Sequence, residues 1–365
     1  MMSAPTEDYD ALLSAKIDRW QPAFRTLNAP EAEVYPSPPE GFRLRAEFRM
    51  WHEGDDLNYV MFPKGDSRTP QIVEHFPIAS VTIQQLMPAL RERLKVDPQL
   101  RRKLFQVEFL STLAGDQLVT LIYHRPLDDE WEQAATALTA DLSINIVGRS
   151  RKLKRIIGRD WVEESLIVNG ESYRYRQPEQ AFSQPNGAVN THMLNWAQTA
   201  TANAKGDLLE LYCGVGNFTL PLAQNFERVL ATEMSKSATA AAQHNLVDNG
   251  IGNVHFARLS AEEMTEAMSG KREFRRLASL PQPLANYELK TLLVDPPRAG
   301  LDAATLALAA GFERIVYISC NPETLLANLM QLDSTHHIEQ LAFFDQFPYT
   351  DHLESGVLLR RRVSN

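Results

Sequence analysis

The sequence predicts a doubly wound, Rossmann-like α/β domain over residues 181–365, preceded by an α+β domain over residues 1–180. Three observations carry this expectation. An apolar run at 207–211 enters a loop with two glycines, Gly214 and Gly216, and is followed by a second apolar run that ends on Glu233. Strand, turn and returning strand of this kind form the βαβ unit of an open parallel sheet. Two further apolar runs end on residues with chemistry, Asp295 before Pro296-Pro297 and Cys320 before Asn321-Pro322. Residues 42–50, by contrast, alternate with period two, the pattern of a strand that is wet on one face.

Composition bounds the function. The chain has 365 residues, 44% hydrophobic and 23% charged, as expected of about two globular domains. Its two cysteines, Cys213 and Cys320, cannot build a disulfide framework. They also fall short of the four thiolates of an iron–sulfur cluster or an all-cysteine zinc site, so no such cluster and no metal is expected. Residues 1–10 are acidic without an apolar core, unlike a signal peptide, and no apolar stretch reaches membrane-spanning length. The expectation is a cytoplasmic protein with no membrane partner. Nothing in the sequence implies an oligomer.

Net charge is −9, which argues against indiscriminate coating of nucleic acid. Its distribution is uneven. Residues 41–159 carry 18 Lys+Arg against 15 Asp+Glu, leaving the remainder of the chain at −12. Such asymmetry points to an anionic partner for the positive part.

In order, residues 9–24 read as a helix and residues 30–39 as a Pro-rich connection. In the alternating run 42–52, Arg43, Arg45 and Arg49 share one face, suited to tracking phosphates or to pairing with carboxylates. A strand at 57–62, a helix at 83–94, strands at 104–113 and 117–124, a helix at 131–141 and a strand at 144–148 complete an α+β unit with hairpins. It has no nucleotide-binding loop and reads as a recognition module. Six cations then fall within eleven residues: Arg149, Arg151, Lys152, Lys154, Arg155 and Arg159. At the border between domains they suit a groove for a polyanion; a solvated face is the plainer alternative.

The second half opens with Phe182-Ser183-Gln184-Pro185-Asn186 and a helix over 190–200. Glycines 214 and 216 let the main chain turn and let a nucleotide approach its N–H groups. The third glycine of a dinucleotide fingerprint is missing, which disfavours NAD. Glu233, 17 residues after Gly216, is placed to accept hydrogen bonds from ribose hydroxyls. Acid and glycine loop without a pyrophosphate clamp suit S-adenosylmethionine. Asp295 is then held beside the cofactor by the prolines that follow it. Cys320, between a strand and a helix start, is either a nucleophile or a small buried apolar residue. In an extended segment His352 and Glu354 face the same way.

These residues carry a resemblance. Residues 209–218, Asp295-Pro296-Pro297-Arg298, Ser319-Cys320-Asn321-Pro322 and Phe347-Pro348 with His352 and Glu354 resemble the motifs of the RNA uracil-5-methyltransferases. Arg45-Ala46-Glu47-Phe48-Arg49 and Tyr123-His124 are similar to the branch that acts on transfer RNA. The resemblance implies an S-adenosylmethionine-dependent methyltransferase domain at 181–365 and an RNA-recognition domain before it. It implies methylation of C5 of uridine 54 in the tRNA T-loop and of a related loop in transfer-messenger RNA. Cys320 would be the nucleophile and Glu354 the base; Gln184, Tyr212, Asn217, Glu233 and Asp295 would hold the cofactor. Ribosomal-RNA members often add an iron–sulfur cysteine cluster and an amino-terminal barrel, both missing here. A cytosine-5-methyltransferase would share the fold, but RNA members usually carry a cysteine just after the Asp-Pro motif, where Pro297-Arg298 stands. A non-enzymatic tRNA-binding or folding role is compatible with either. Residues 269–289 receive no role.

Overall fold

In the computed structural model, which describes residues 8–63, 65–66 and 68–363, the period-two run becomes the strand Arg45–Glu53. Its even positions Ala46, Phe48 and Met50 are buried. This strand is central in a seven-stranded sheet of order Gln71–Ile72, Asp56–Met61, Arg45–Glu53, Leu104–Ser111, Gln117–Tyr123, Asn145–Ser150, Leu153–Ile157. Helices Val81–Val96 and Asp129–Leu142 cover one face, packing Leu90, Leu94, Trp131 and Leu138 against Phe48, Tyr59 and Phe109. The other face keeps Glu47, Arg49 and His124 exposed.

The continuous apolar runs of the second half pair as an eight-stranded sheet. Its order is Glu33–Tyr35, His336–Phe344, Glu354–Arg361, Arg314–Ser319, Leu289–Val294, Asp207–Leu211, Val229–Thr232, Val254–Ala257. Neighbours run parallel except Glu354–Arg361, which is antiparallel to both of its partners. Strands buried on both faces need apolar residues at every position, which is why these runs do not alternate. Register does the positioning. Thr232 pairs with Leu211, Leu211 with Val294, and Val294 with Tyr317, so these strands run out along one carboxyl edge.

The expected boundary at residue 180 is corrected on both sides. Strand Glu33–Tyr35 adds to the eight-stranded sheet by pairing with residues 342–344, and Trp20 and Phe24 of helix Tyr9–Arg25 join the core under that sheet. Hairpin Trp161–Val168/Glu171–Pro178, which the sequence reading left unassigned, packs Leu166, Val168, Tyr173 and Tyr175 against helix Gly187–Thr201 and the same sheet. Sheet and core membership therefore make the seven-stranded unit an insertion of roughly residues 43–157 into the unit built on the eight-stranded sheet. Where the sequence shows a Pro-rich connection, three residues find a strand partner about 300 positions away, a pairing no local pattern announces.

A buried ion pair fastens helix Tyr9–Arg25 to the segment before Glu354. Lys16 Nζ lies 2.7 Å from Asp345 Oδ1 and donates to the Phe347 carbonyl at 3.0 Å. Residues 269–289 form two short 3-10 turns, and Phe274 and Tyr287 enter the core beside Leu230 and Leu292. Among the described residues no helix is long and apolar enough to cross a membrane.

Candidate active site

Strand ends place the chemistry. Tyr212, Glu233 and Asp295 each stand one residue past the paired positions Leu211, Thr232 and Val294, at the carboxyl edge where open α/β sheets bind ligands. Tyr212 turns the chain there with φ +62°, a left-handed conformation that costs a non-glycine residue about 1–2 kcal/mol. Gly216 follows at φ +89°, where a Cβ would come within 2.7 Å of Leu220 Cδ1. Any other residue there would be strained by the positive φ and would push Leu220 aside, so glycine suits the turn.

The loop walls a narrow cleft, lined in part by Phe182, Gln184, Tyr212, Gly214, Asn217 and Asp295. Four of the five residues expected to hold the cofactor thus meet in one place. Asn217 is held by reciprocal hydrogen bonds with Asn190 (2.9 and 3.0 Å), and its carbonyl accepts the Tyr175 hydroxyl at 3.1 Å. Gln184 is 9% exposed, and its side-chain amide makes no hydrogen bond within the protein. The fifth residue, Glu233, does not line the cleft but adjoins it. Its Oε2 accepts the Gly214 N–H at 3.1 Å and its Oε1 the Ser235 N–H at 2.7 Å. Each carboxylate oxygen has a further lone pair for a ribose hydroxyl. A nearly buried unpartnered amide, a free-edged carboxylate and a glycine loop fit S-adenosylmethionine.

Sequence reasoning missed Glu210. It looked like one more residue of an apolar strand, yet its carboxyl is buried at 1% exposure and Oε2 has no hydrogen-bond partner. Burial pushes it up to about 8; the nearby Thr219 hydroxyl works against the shift and the charge of Asp295 adds to it. The hydroxyl of Thr219 is equally buried and unpartnered.

Cys320 follows strand Arg314–Ser319 and precedes helix Pro322–Leu332, whose first turn is capped by Asn321 accepting the Glu323 N–H at 3.2 Å. Proline at the first helical position needs no N–H partner, so strand, thiol and helix follow without a loop. In the antiparallel pair, Ser319 faces Ser355. Continuing the register by one residue sets Cys320 opposite Glu354, where Cα atoms of facing residues lie about 4.5–5.5 Å apart. Glu354 begins its strand at 2% exposure. Of the expected pair, His352 instead lies at the rim, its ring edge-on to Phe347 and its Nδ1 3.4 Å from Arg298 Nη2.

The electrostatics favour protons on all three acids. Burial pushes the Cys320 thiol up to about 11; the charges of Glu354 and Asp295 add to this, and Arg298 opposes it. Burial lifts Asp295 to about 7. It also holds Glu354 well above the usual carboxylate range, with Asp295 contributing. The negative charges of Glu354 and Asp295 work against ionisation of the thiol, and the Arg298 cation works for it. Glu354→Gln, which removes one negative charge, should therefore shift the pH profile of Cys320 alkylation downward. Arg298→Met should shift it upward. Iodoacetamide labelling between about pH 7 and 11, resolved by peptide mass spectrometry from the buried Cys213, checks both signs. Coincident profiles for the three proteins would show that these charges do not reach the thiol.

The basic run is not the uniform patch its sequence suggests. Arg149 forks onto Glu179 (2.5 and 2.6 Å), and Lys154 contacts Asp160 at 2.8 Å and Glu179 at 3.3 Å. Arg155 pairs with Glu132 and Asp129, and Arg159 pairs with Asp116 while lying 4.3 Å over the Trp161 ring. Only Arg151 and Lys152, at the turn of the hairpin, are exposed and without a carboxylate partner. Arg45 likewise spends its guanidinium inside the protein, on Ser183 Oγ and the carbonyls of Glu179 and Ala181. Arg49 remains outside, 4.1 Å over the Phe105 ring, which stacks on His124 at 4.0 Å. Phe105 and His124 had no signal as a pair, because a bulge in the ladder between Leu104 and Gln106 brings them together. Among the described residues no group of three or more His, Cys, Asp or Glu could hold a metal ion.

Comparison with known proteins agrees with this geometry. A protein named tRNA/tmRNA (uracil-C(5))-methyltransferase from Ectopseudomonas mendocina is 56% identical over 364 residues, covering 99% of this chain and 100% of that one. One of the same name from Vibrio parahaemolyticus is 54% identical over 360 residues, covering 97% of each. The fold matches the crystal structure of Pyrococcus abyssi tRNA (uracil-54, C5)-methyltransferase in complex with S-adenosyl-L-homocysteine. That match has a TM-score of 0.75 at 20% identity and covers 98% of this chain and 84% of that one. The sequence model of the family described as tRNA (Uracil-5-)-methyltransferase matches residues 8–362. With cofactor cleft, thiol and buried carboxylate at one sheet edge, the chain belongs to the tRNA (uracil-5-)-methyltransferase family.

Proposed function

We propose that the protein methylates C5 of uridine 54 in the T-loop of transfer RNA, and the equivalent uridine of transfer-messenger RNA. The observation that carries the reading is the Ser319–Ser355 pairing, one residue beyond which Cys320 and Glu354 meet near Asp295. When bound in the cleft, S-adenosylmethionine supplies an electrophilic methyl group. C5 of uracil is too weak a nucleophile to take it unaided. The Cys320 thiolate adds to C6, and the C5=C6 electron pair becomes that of an enolate with carbanion character at C5. C5 would then bond the methyl carbon as the bond from that carbon to the sulfonium sulfur breaks, leaving S-adenosylhomocysteine. The adduct still carries the C5 proton; the Glu354 carboxylate takes it, the double bond re-forms and the C6–S bond breaks. A carboxyl raised by burial is the stronger base for this step. Gln184, Tyr212, Asn217, Glu233 and Asp295 hold the cofactor.

The uridine must leave its stack to reach Cys320, at a cost of a few kcal/mol. Stacked Phe105 and His124 under Arg49 offer an aromatic, cationic face on the recognition sheet. Phosphate contacts are assigned to the cations that no carboxylate holds. Arg151→Ala and Lys152→Ala should each weaken tRNA binding across sequences and lower the slope of log K against log salt by about 1. Arg155→Ala, which removes an already paired cation, should leave the slope unchanged. Filter binding at several salt concentrations reads both. The activity itself is tested with methyl-labelled S-adenosylmethionine and bulk tRNA, followed by nucleoside analysis. 5-Methyluridine at position 54 is expected, and 5-methylcytidine or no label would overturn the assignment. The site of action is the cytoplasm, where tRNA is matured.

A further inference from the structure

Gln184 is a cofactor residue in the reading above, and what holds it in place is not its own side chain. Segment 179–184 is neither helix nor strand. Within it Phe182 is 71% exposed and lines the cleft, as do Ser183 and Gln184. An irregular segment whose functional amide has no protein partner is placed by its backbone, by the Glu179 carboxylate on Arg149 and by Ala181 packed with Val215, Ala238 and Ala241. That backbone is gripped from the recognition sheet. Arg45 Nη2 donates to the Ala181 carbonyl at 2.7 Å, Nη1 to the Glu179 carbonyl at 3.2 Å, and Nε to Ser183 Oγ at 2.8 Å. Next to it the Leu44 N–H donates to the Pro185 carbonyl at 2.7 Å, and Arg43 forms an antiparallel bridge with Asn186. The guanidinium is a rigid planar fork, and its three acceptors sit on alternate residues of the segment.

We propose that Arg45 is a positioning residue for cofactor binding: from the recognition sheet it sets the path of residues 179–184 and so the place of Gln184 and Phe182 on the cleft wall. The inference rests on Gln184 contacting the cofactor. It also replaces the phosphate-tracking role that the strand pattern suggests for Arg45, since each of its three side-chain nitrogens donates to a group inside the protein. Half-buried among carbonyls, the guanidinium is pulled down by desolvation, while Glu108 and Glu179 support its charge. A group so enclosed has little left to offer RNA.

The test measures two ligands on the full-length protein. For Arg45→Met, the Kd for S-adenosylhomocysteine by calorimetry should rise about tenfold or more, because hydrogen bonds to charged groups are each worth that order in an equilibrium constant. KM for S-adenosylmethionine should rise in parallel, with kcat changed less than about threefold, the signature of lost ground-state binding. The Kd for tRNA and its salt slope should stay as in the wild type. Arg45→Lys, which keeps the charge but cannot span three acceptors, should fall between. Ser183→Ala, removing a single acceptor, should move cofactor affinity the same way by a smaller factor, and it keeps the test open should Arg45→Met fold poorly. Unchanged cofactor affinity in Arg45→Met and Ser183→Ala would overturn the proposal. So would weaker tRNA binding with a flatter salt slope at unchanged cofactor affinity, because Arg45 would then be a phosphate contact. Gln184→Ala separates the two layers. If it leaves cofactor affinity intact, the assignment of Gln184 fails; if it weakens binding while Arg45→Met does not, only the role of Arg45 fails.

Discussion

Cys320→Ala should reduce methyl transfer to background and remove every covalent protein–RNA species, while tRNA and S-adenosylhomocysteine still bind. The expectation is this strong because one step supplies all the nucleophilicity at C5. Without addition at C6 there is no enolate, and no neighbouring group can replace the lost bond. Structural damage is not the expected cause. Cys320 is half-buried at the junction of strand and helix, and the fold around it is held by the Asn321 cap and by the sheet. Denaturing gels with labelled RNA and a nucleoside assay read the two losses together. Retained turnover would end the covalent mechanism; lost turnover with lost tRNA binding would mean the residue is needed for shape.

Glu354→Gln should slow turnover by about 10²–10⁴-fold, the usual range for removing a general base, and should do so in a different manner. Addition and methyl transfer proceed, but the C5 proton has no acceptor and the C6–S bond cannot break. A methylated RNA attached to Cys320 should therefore accumulate and survive denaturation. The sign of the pH dependence follows from the raised pKa of the carboxyl. In the wild type a larger fraction of Glu354 is ionised as pH rises, so elimination should quicken from mildly acidic to alkaline pH, and the variant should lose that dependence. Asp295 is the alternative base, raised to about 7 at the same edge. Asp295→Asn that trapped the adduct beside a normally turning-over Glu354→Gln would move the base to Asp295 and leave the nucleophile in place.

Legibility in the sequence followed the range of the interactions. Asp295 and Cys320 could be placed because an apolar run, a stop and a reactive side chain are all local, and parallel sheets bring such strand ends together. Tyr212, Asn217 and Gln184 were readable only through motif resemblance, since nothing in their own neighbourhood separates them from turn residues. Glu210 was hidden by its strand: burial makes it unusual, and burial is not written in the residues beside it. The cations misled in the same way. Counting Arg149, Lys154, Arg155 and Arg159 gives a patch, but Glu179, Asp160, Glu132 and Asp116 reach them from distant parts of the chain. Arg45 and Arg49 are four residues apart on one strand and look alike. One turns inward to a loop about 135 residues later, and the other stays on the surface over Phe105.

Strand Glu33–Tyr35 sets a constraint on how the chain is made. It leaves the ribosome about 300 residues before its pairing partner at residues 342–344 is made. At about 5–20 residues per second the gap is roughly 15–60 s. During that time the inserted seven-stranded unit, with its own core of Phe48, Tyr59, Phe109 and Trp131, can be completed, while the amino-terminal helix waits with Trp20 and Phe24 uncovered. Contacts of such long sequence separation slow folding, because the loop must close before anything rewards it. A nascent chain arrested before residue 336 should therefore be protease-resistant over residues 43–157 and sensitive at its amino terminus. Synthesis of residues 336–361 closes the amino-terminal helix and the Glu354 strand onto the eight-stranded sheet, so the sheet edge at Glu354 is completed long after the strand at residues 33–35 has been made.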